Sequence, residues 1–269
     1  MIALSRAELS MRPLRLMLER CSRHWVFRRR LPARFGGRRL WVTPAAALAY
    51  FRSLNSHTWD DLYDFAQQFV RQGDSVWDVG ANLGVLSFAA AHQAGATGEV
   101  LAIEADGWLV ELMRRSADEF LSAAAPVEVL CCAIAAENGL QLFARPERAR
   151  SGSHLTSTTG AGDALLGPTV STHPVITTTL DWLGTHRRKP DVIKIDVEGA
   201  ELAVLRGAHH ILLHHRPRLL LEVYESNADE ITELLHSLGY DLYNFSAERA
   251  GRRPVQRAVY NTLALPRPI

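Results

Sequence analysis

The chain has 269 residues, 47% of them hydrophobic and 22% charged, with 18 glycines and 12 prolines; such a composition supports ample core and excludes global disorder or a fibrous repeat. Thirty basic and 29 acidic side chains leave a net charge of +1, so no overall field draws the protein to nucleic acid or to an anionic membrane. The three cysteines, Cys21, Cys131 and the adjacent Cys132, make a poor disulfide framework, and the cytoplasm is the expected compartment.

Charge is unevenly placed. Met1 to Arg52 carries twelve Arg and two Glu, roughly +10 against about −9 for the remainder. Residues 1–70 are therefore read as a basic N-terminal extension. Leu4, Leu9, Leu14, Leu16, Met17 and Leu18 among arginines fit a helix docked on the core, or an amphipathic helix that meets a partner. Arg6, Glu8 and two serines interrupt Met1 to Met11, so no signal peptide is expected. The longest uncharged stretch, Val79 to Gly98, holds Asn82, Ser87, His92 and Gln93, and no integral membrane segment is expected.

From about Gly73 onward, short apolar runs alternate with helical patterns, the mark of a parallel sheet covered by helices. Residues 71–269 are read as one α/β domain. The first strand is Ser75 to Val79, followed by the turn Gly80 to Gly84 and an apolar helix that Gly95 ends. The second strand is Val100 to Glu104. Leu109, Leu112, Met113 and Ser116 then line one helical face, and Val127 to Cys131 is the third strand. Between Arg145 and Thr172 the periodicity fails and Ser, Thr, Gly and Pro accumulate; this predicts a flexible loop.

Order returns at Val175 to Leu180, and Val192 to Val197 is the fourth strand. Alternation there puts Lys194, Asp196 and Glu198 together while Ile193, Ile195 and Val197 pack inward. Leu219 to Val223 is the fifth strand. A helix with Ile231, Leu234, Leu235 and Leu238 on one side opens on Asp229 and Glu230 and closes at Gly239. Tyr240 to Phe245 and Val259 to Leu265 then complete the sheet as a hairpin pair.

Three constellations carry chemistry. In Asp78-Val79-Gly80-Ala81-Asn82-Leu83-Gly84, Gly80 permits a tight turn and close approach of a ligand, and Gly84 lets the helix start against the strand. The middle glycine of a dinucleotide turn is missing, and the carboxylate of Asp78 suits a cation, such as the ammonium and sulfonium of S-adenosylmethionine, better than a pyrophosphate. That disfavours a nicotinamide-dependent oxidoreductase. Glu104, twenty positions beyond Gly84, has the placement that accepts hydrogen bonds from both hydroxyls of a ribose. Lys194 to Glu201 brings ionisable groups to a strand's carboxyl end, where open α/β sheets bind ligands. Methyl transfer to a hydroxyl needs a group to take its proton, and Asp196 and Glu198 are the candidates. His57 is a further candidate base, because histidine is the side chain suited to proton transfer near neutral pH. His210 and His214 have the i, i+4 spacing of zinc ligands but lack the companion Glu, and no metal is assigned.

The blocks Val76 to Gly84, Thr179-Leu180-Asp181, Val192 to Glu201 with Val204 to Ala208, and Arg216-Pro217 before Leu221-Glu222 together resemble the FkbM-type methyltransferases. The likeness spans roughly Leu40 to the C-terminus, and Ile193 to Glu201 is its most specific part. It implies a class I, Rossmann-like fold: a doubly wound, mostly parallel sheet with a C-terminal antiparallel strand, here with an N-terminal helical extension. It also implies S-adenosylmethionine as cofactor and O-methylation of a hydroxyl on a sugar, glycan, lipid or secondary metabolite. Carried over by position, Asp78, Gly80, Asn82 and Gly84 form the cofactor loop and Glu104 the ribose acid. Ala105 replaces a proline common in relatives, and Ala133 beside Cys132 falls where adenine is contacted. Asp196 and Glu198 match the acidic strand-four motif. The alternative is a methyltransferase-like binding module that has lost chemistry and recruits a partner through its basic arm.

Overall fold

Strands that are apolar on both faces need cover on both faces, and the computed structural model is built this way. It describes residues 21–22, 24–119, 123–147, 149–157, 168–247 and 252–268. The expected helix over residues 4–18 lies outside them. The described part of the extension is instead an antiparallel hairpin, β1 (Phe27–Arg30) and β2 (Arg39–Val42), then short 3-10 turns and helix α1 (Asp60–Phe69).

The main sheet takes in β3 (Ser75–Val79), β4 (Glu99–Glu104), β5 (Val127–Cys131), β10 (Val192–Ile195), β11 (Arg218–Glu222), β12 (Tyr240–Asn244), β13 (Pro254–Val255) and β14 (Asn261–Pro266). Their spatial order is β13-β12-β14-β11-β10-β3-β4-β5. The five strands from β11 to β5 are parallel, while β14 runs antiparallel to both β11 and β12. The chain winds from β3 outward to β5, then returns to start again at β10, so the order reverses between β3 and β10. At such a reversal the helices leave on opposite faces and a crevice opens at the strands' carboxyl ends.

Alternation along each strand divides the core in two. Val76, Val100, Ala102, Val192, Leu220 and Leu263 pack with α1, α2 (Val85–Ala94), α3 (Gly107–Ala117) and the extension. Trp77, Leu101, Ile103, Ile193, Ile195, Leu219 and Leu221 pack against α4 (Leu180–His186), α5 (Glu201–Arg206), α6 (His209–His214) and α7 (Ala228–Ser237). Helix α2 has no polar stripe, because it is covered by α1 and the extension as well as by the sheet. Asp78 and Lys194 replace apolar residues on the α2 face and are buried there. The fourth strand stops at Ile195, so the expected alternation does not run on to Glu198: positive φ at Glu198 (51°) and Gly199 (96°) turns the chain.

The segment expected to be a flexible loop is flanked by strands of a second, smaller sheet, and its residues 154–155 pair with that sheet. Strands β6 (Ala133–Ile134), β7 (Gly139–Pro146), β8 (His154–Leu155) and β9 (Thr169–Thr178) pair in the order β6-β9-β7-β8. The stretch 158–167 lies outside the described residues. Outside that segment, β7 and β9 expose Leu140, Leu142 and Ile176 on the face away from the core.

The extension is fastened to α3. The Trp41 N–H donates to Ser116 Oγ at 2.8 Å, Arg38 Nη1 donates to the Ser116 carbonyl at 3.0 Å, and Arg115 lies over the Trp41 ring at 3.8 Å. Ser116 is fully buried, and Ser116→Ala removes the acceptor of the part-buried Trp41 N–H; it is expected to destabilise the fold by about 1 kcal/mol, read as a lower urea midpoint at unchanged slope. Among the described residues no helix is long and apolar enough to cross a membrane.

Candidate active site

The crevice between β3 and β10 is shaped first by backbone. Gly80 has φ of +75°, and a Cβ there would lie 1.8 Å from the Asp196 carbonyl oxygen; only glycine lets the two strand ends approach so closely. The N–H groups of Gly80 and Ala81 both donate to the Ile103 carbonyl, at 2.9 and 3.0 Å. Asn82 follows in left-handed geometry (φ 54°), which points its N–H at Glu104 Oε2, 2.9 Å away. The other carboxylate oxygen, Oε1, accepts from the Asp106 N–H at 2.8 Å. Glu104 is thus fixed by two backbone donors, with acceptor capacity left on each oxygen. Burial pushes its carboxyl up to about 7, against the two backbone hydrogen bonds that favour the ionised form.

Above this turn lies a cavity of about 260 Å³, which Glu104, Ala105 and Ala133 line on the β4 side and Asp196 and Glu198 on the β10 side, with Gly80 and Asn82 of the β3 turn between them. Its roof is Arg150 to Leu155 of the small sheet. The Arg150 and Ser151 N–H groups donate to the carbonyls of Ala45 and Ala46 at 2.9 and 3.0 Å. Arg150 also pairs with Asp106 and lies over the Trp108 ring at 4.6 Å. Asp106 in turn caps α3 by accepting from the N–H of Trp108 at 3.0 Å. One roof residue, Ser153, has a buried hydroxyl with no hydrogen-bond partner among the described residues.

The acidic end is organised around Lys194, whose Nζ reaches the Gly80 carbonyl at 2.9 Å, Asp196 Oδ2 at 3.0 Å and Asp78 Oδ1 at 3.6 Å. Burial alone would lower its pKa, but the carboxylates of Asp196 and Asp78 outweigh it and the ammonium is held charged. Glu198 and Glu222 are each pushed up to about 7, chiefly by burial and further by neighbouring carboxylates; phenols pull the other way, Tyr224 donating to Glu198 and Tyr260 to Glu222. Glu201, fully buried, accepts from the Gly199 N–H at 2.9 Å and fixes the turn that carries Glu198.

The cavity therefore gathers Gly80, Asn82, Glu104, Ala105, Ala133, Asp196 and Glu198. Three expected site residues lie elsewhere. Asp78 faces α2, where it accepts from Ser87 Oγ at 2.5 Å and neighbours Lys194; it borders a second cavity, not the first. Gly84 starts α2 with φ of +77° and is packed against Phe88 and Met113. His57 is a correction to its reading as a base: its side chain is wholly exposed, bonds Asp60 at 2.7 Å and borders neither of these cavities. The 3-10 turn that bears it buries Trp59 instead. Sequence reasoning did not place the individual roof residues, because a polar, Gly-rich stretch reads as loop, and it missed the Tyr224 and Tyr260 partners, which are distant in sequence from the acids they serve. Among the described residues no group of three His, Cys, Asp or Glu side chains is arranged to hold a metal.

The strand order, the glycine turn at its reversal and an acid at the tip of the neighbouring strand define a class I methyltransferase fold. Residues 78–242 match the Methyltransferase FkbM domain, and the chain belongs to that family. Solved structures similar to it include methyltransferase FkbM from Methylobacillus flagellatus KT, 16% identical over 76% of this chain and 50% of that one, with a TM-score of 0.46. A SAM-dependent methyltransferase from Aquifex aeolicus is 14% identical over 79% and 93% of the two chains (TM-score 0.41). The magnesium protoporphyrin IX methyltransferase of Synechocystis PCC 6803, with bound SAM, is 14% identical over 78% of each (TM-score 0.41). The chain spans about half the length of the first of these. A search of curated proteins finds no match.

The contact between Gly80 and Asp196 is backbone on backbone and cannot be relieved by a side-chain rotation. Gly80→Ala is expected to destabilise the protein by about 3 kcal/mol or more, seen as a lower melting temperature in calorimetry, with the Ala81→Gly control within about 1–2 kcal/mol of wild type.

Proposed function

We propose that the chain is an S-adenosylmethionine-dependent O-methyltransferase that binds its cofactor in the first cavity and methylates a hydroxyl of a small molecule or glycan. The observation that carries this reading is Glu104: a buried carboxylate with both oxygens oriented by backbone N–H groups, facing a cavity. A ribose diol supplies the two donors that such a carboxylate lacks. The buried Ser153 hydroxyl is a further unpartnered group on the same cavity, and the acids at the far end suit the positive charge of a sulfonium and an α-ammonium.

When bound, the cofactor supplies a methyl group activated on sulfur for in-line displacement. The protein's part is to orient and to handle a proton. Glu104 and Asn82 hold the nucleoside end, with Ala105 and Ala133 as small residues on its rim. Asp78 acts at one remove, through Lys194, by fixing the Gly80 carbonyl and Asp196. Asp196 and Glu198 stand at the transfer end. The acceptor is a sugar, glycan, lipid or secondary-metabolite hydroxyl.

Calorimetric titration with S-adenosylmethionine tests the reading. Wild type is expected to bind, and Glu104→Ala to lose about 1.5–3 kcal/mol, roughly 10- to 100-fold in affinity, through the lost charge-assisted hydrogen bonds. Absence of binding by wild type, or full affinity in the variant, refutes it. Because ionised Glu104 is the better acceptor and its carboxyl titrates at about 7, affinity is expected to fall toward acid below that pH, by up to about tenfold per unit, with proton release on binding. Glu104→Gln is expected to flatten this dependence, as read by titration in buffers of different ionisation enthalpy.

A further inference from the structure

A second cavity of about 290 Å³ lies beside the first, on the α2 face of the sheet. The extension and α1 wall it with Ala49, Tyr50, Trp59 and Leu62, and Val85, Leu86 and Phe245 complete its apolar surface. Four residues border both cavities: Asn82, Ser151, Asp196 and Glu222. A group handed from an occupant of one cavity to an occupant of the other must pass between these four.

Two of the four are carboxylates, and their surroundings differ. Asp196 Oδ2 is already engaged by the Lys194 ammonium at 3.0 Å. Glu222 takes its hydrogen bond from a phenol, Tyr260 Oη, at 2.6 Å. It stands at the end of β11 opposite Asn261, whose Nδ2 bonds Asp61 at 3.0 Å and closes the far wall. The charges around the second cavity are Asp61, Asp78, Asp196 and Glu222 against Lys194, and the ammonium is already engaged by the Gly80 carbonyl, Asp196 and Asp78. An anion is repelled there. Trp59 is nine-tenths buried, and its indole N–H has no hydrogen-bond partner among the described residues, so it can donate to a ligand oxygen.

We propose that the second cavity holds the methyl acceptor, an uncharged hydroxyl-bearing molecule with an apolar face, and that Glu222 takes the hydroxyl proton while Tyr260 positions it. This rests on the cofactor assignment above. In the transfer the acceptor oxygen forms the new C–O bond as the C–S bond breaks, and the electron pair of that bond stays on sulfur, leaving a neutral thioether. The hydroxyl proton moves to the Glu222 carboxylate. Burial, Asp196 and Glu201 raise the Glu222 carboxyl, while Tyr260 and Lys194 lower it, leaving it at about 7. Glu198, whose own carboxyl is also pushed up to about 7, completes the acidic surroundings. Ionised Glu222 is the active form, so transfer rises with pH through this region. Loss of the Tyr260 hydrogen bond moves the rise to higher pH.

The test runs in two arms on the full-length protein. S-adenosylhomocysteine titration of wild type reads the cofactor assignment alone. In the first arm, phenyl β-D-glucopyranoside at millimolar concentration is added to the S-adenosylhomocysteine complex and followed by ligand-observed NMR. Binding is expected in wild type, lost in Ala49→Trp with S-adenosylhomocysteine affinity unchanged, and absent for the 6-phosphate of the same glycoside. With S-adenosylhomocysteine bound, failure of the neutral glycoside to bind, equal binding of the phosphate, or parallel loss of both ligands in Ala49→Trp overturns the assignment of the cavity. In the second arm, label from the methyl donor is followed into the neutral fraction of a metabolite extract. At saturating methyl donor, Glu222→Gln is expected to lower the transfer rate about 100-fold or more, and Tyr260→Phe to move the pH limb upward. Wild-type rate in Glu222→Gln, an unmoved limb in Tyr260→Phe, or label recovered only in the anionic fraction overturns the role of Glu222 or the class of acceptor.

Discussion

The site depends on one buried ammonium. Lys194 sits on an interior strand where an apolar residue would otherwise pack, and it joins Asp78 on β3, the Gly80 carbonyl at the turn and Asp196 beyond β10. An unpaired charge at this depth would be prohibitive. With two carboxylates and a carbonyl around it, the charge becomes a clamp that fixes the two strand ends across which the sheet order reverses. The left-handed turn from Gly80 to Asn82 is held on the other side by the Ile103 carbonyl and Glu104. Together these contacts fix the strand ends and the turn that border the crevice.

Around that rigid floor the walls come from parts of the chain far from it in sequence. The small sheet between β5 and β10 supplies the roof of the first cavity, and the N-terminal extension supplies a wall of the second. Backbone hydrogen bonds from Arg150 and Ser151 to Ala45 and Ala46 tie these two parts to each other. The contact of Arg150 with Asp106 links the roof to the first turn of α3, beside the acid at the tip of β4. Changes in either wall can therefore alter what the cavities admit without disturbing the floor, consistent with specificity residing in appended segments.

The electrostatics of the two ends differ in kind. Glu104 is desolvated but surrounded by backbone donors, and so is prepared to accept. Glu198, Glu201 and Glu222 crowd around Asp196, and burial with mutual repulsion holds their carboxyls above the ordinary range. Such a cluster is costly for the fold in isolation and is relieved by positive charge or by a proton.

The sequence by itself determined the parallel sheet, the glycine turn, the acid at the second strand's tip and the acidic block after the fourth strand. Each of these is written in local alternation or in short-range spacing, which a chain cannot satisfy in many ways. The same local logic went astray where the answer depended on distant partners. Asp78 looked like a ligand for a cation, and its cation proved to be Lys194. Residues 154–155, inside a stretch that looked like loop, pair with β7, whose residues come from the preceding segment. His57 looked available, and its turn faces solvent. Only the tertiary structure decided that Glu222 and Asp196 stand between two cavities and that tyrosines from separate loops cap the acids. Those relations join residues tens to more than a hundred positions apart, and they exist only once the sheet has brought its carboxyl ends together.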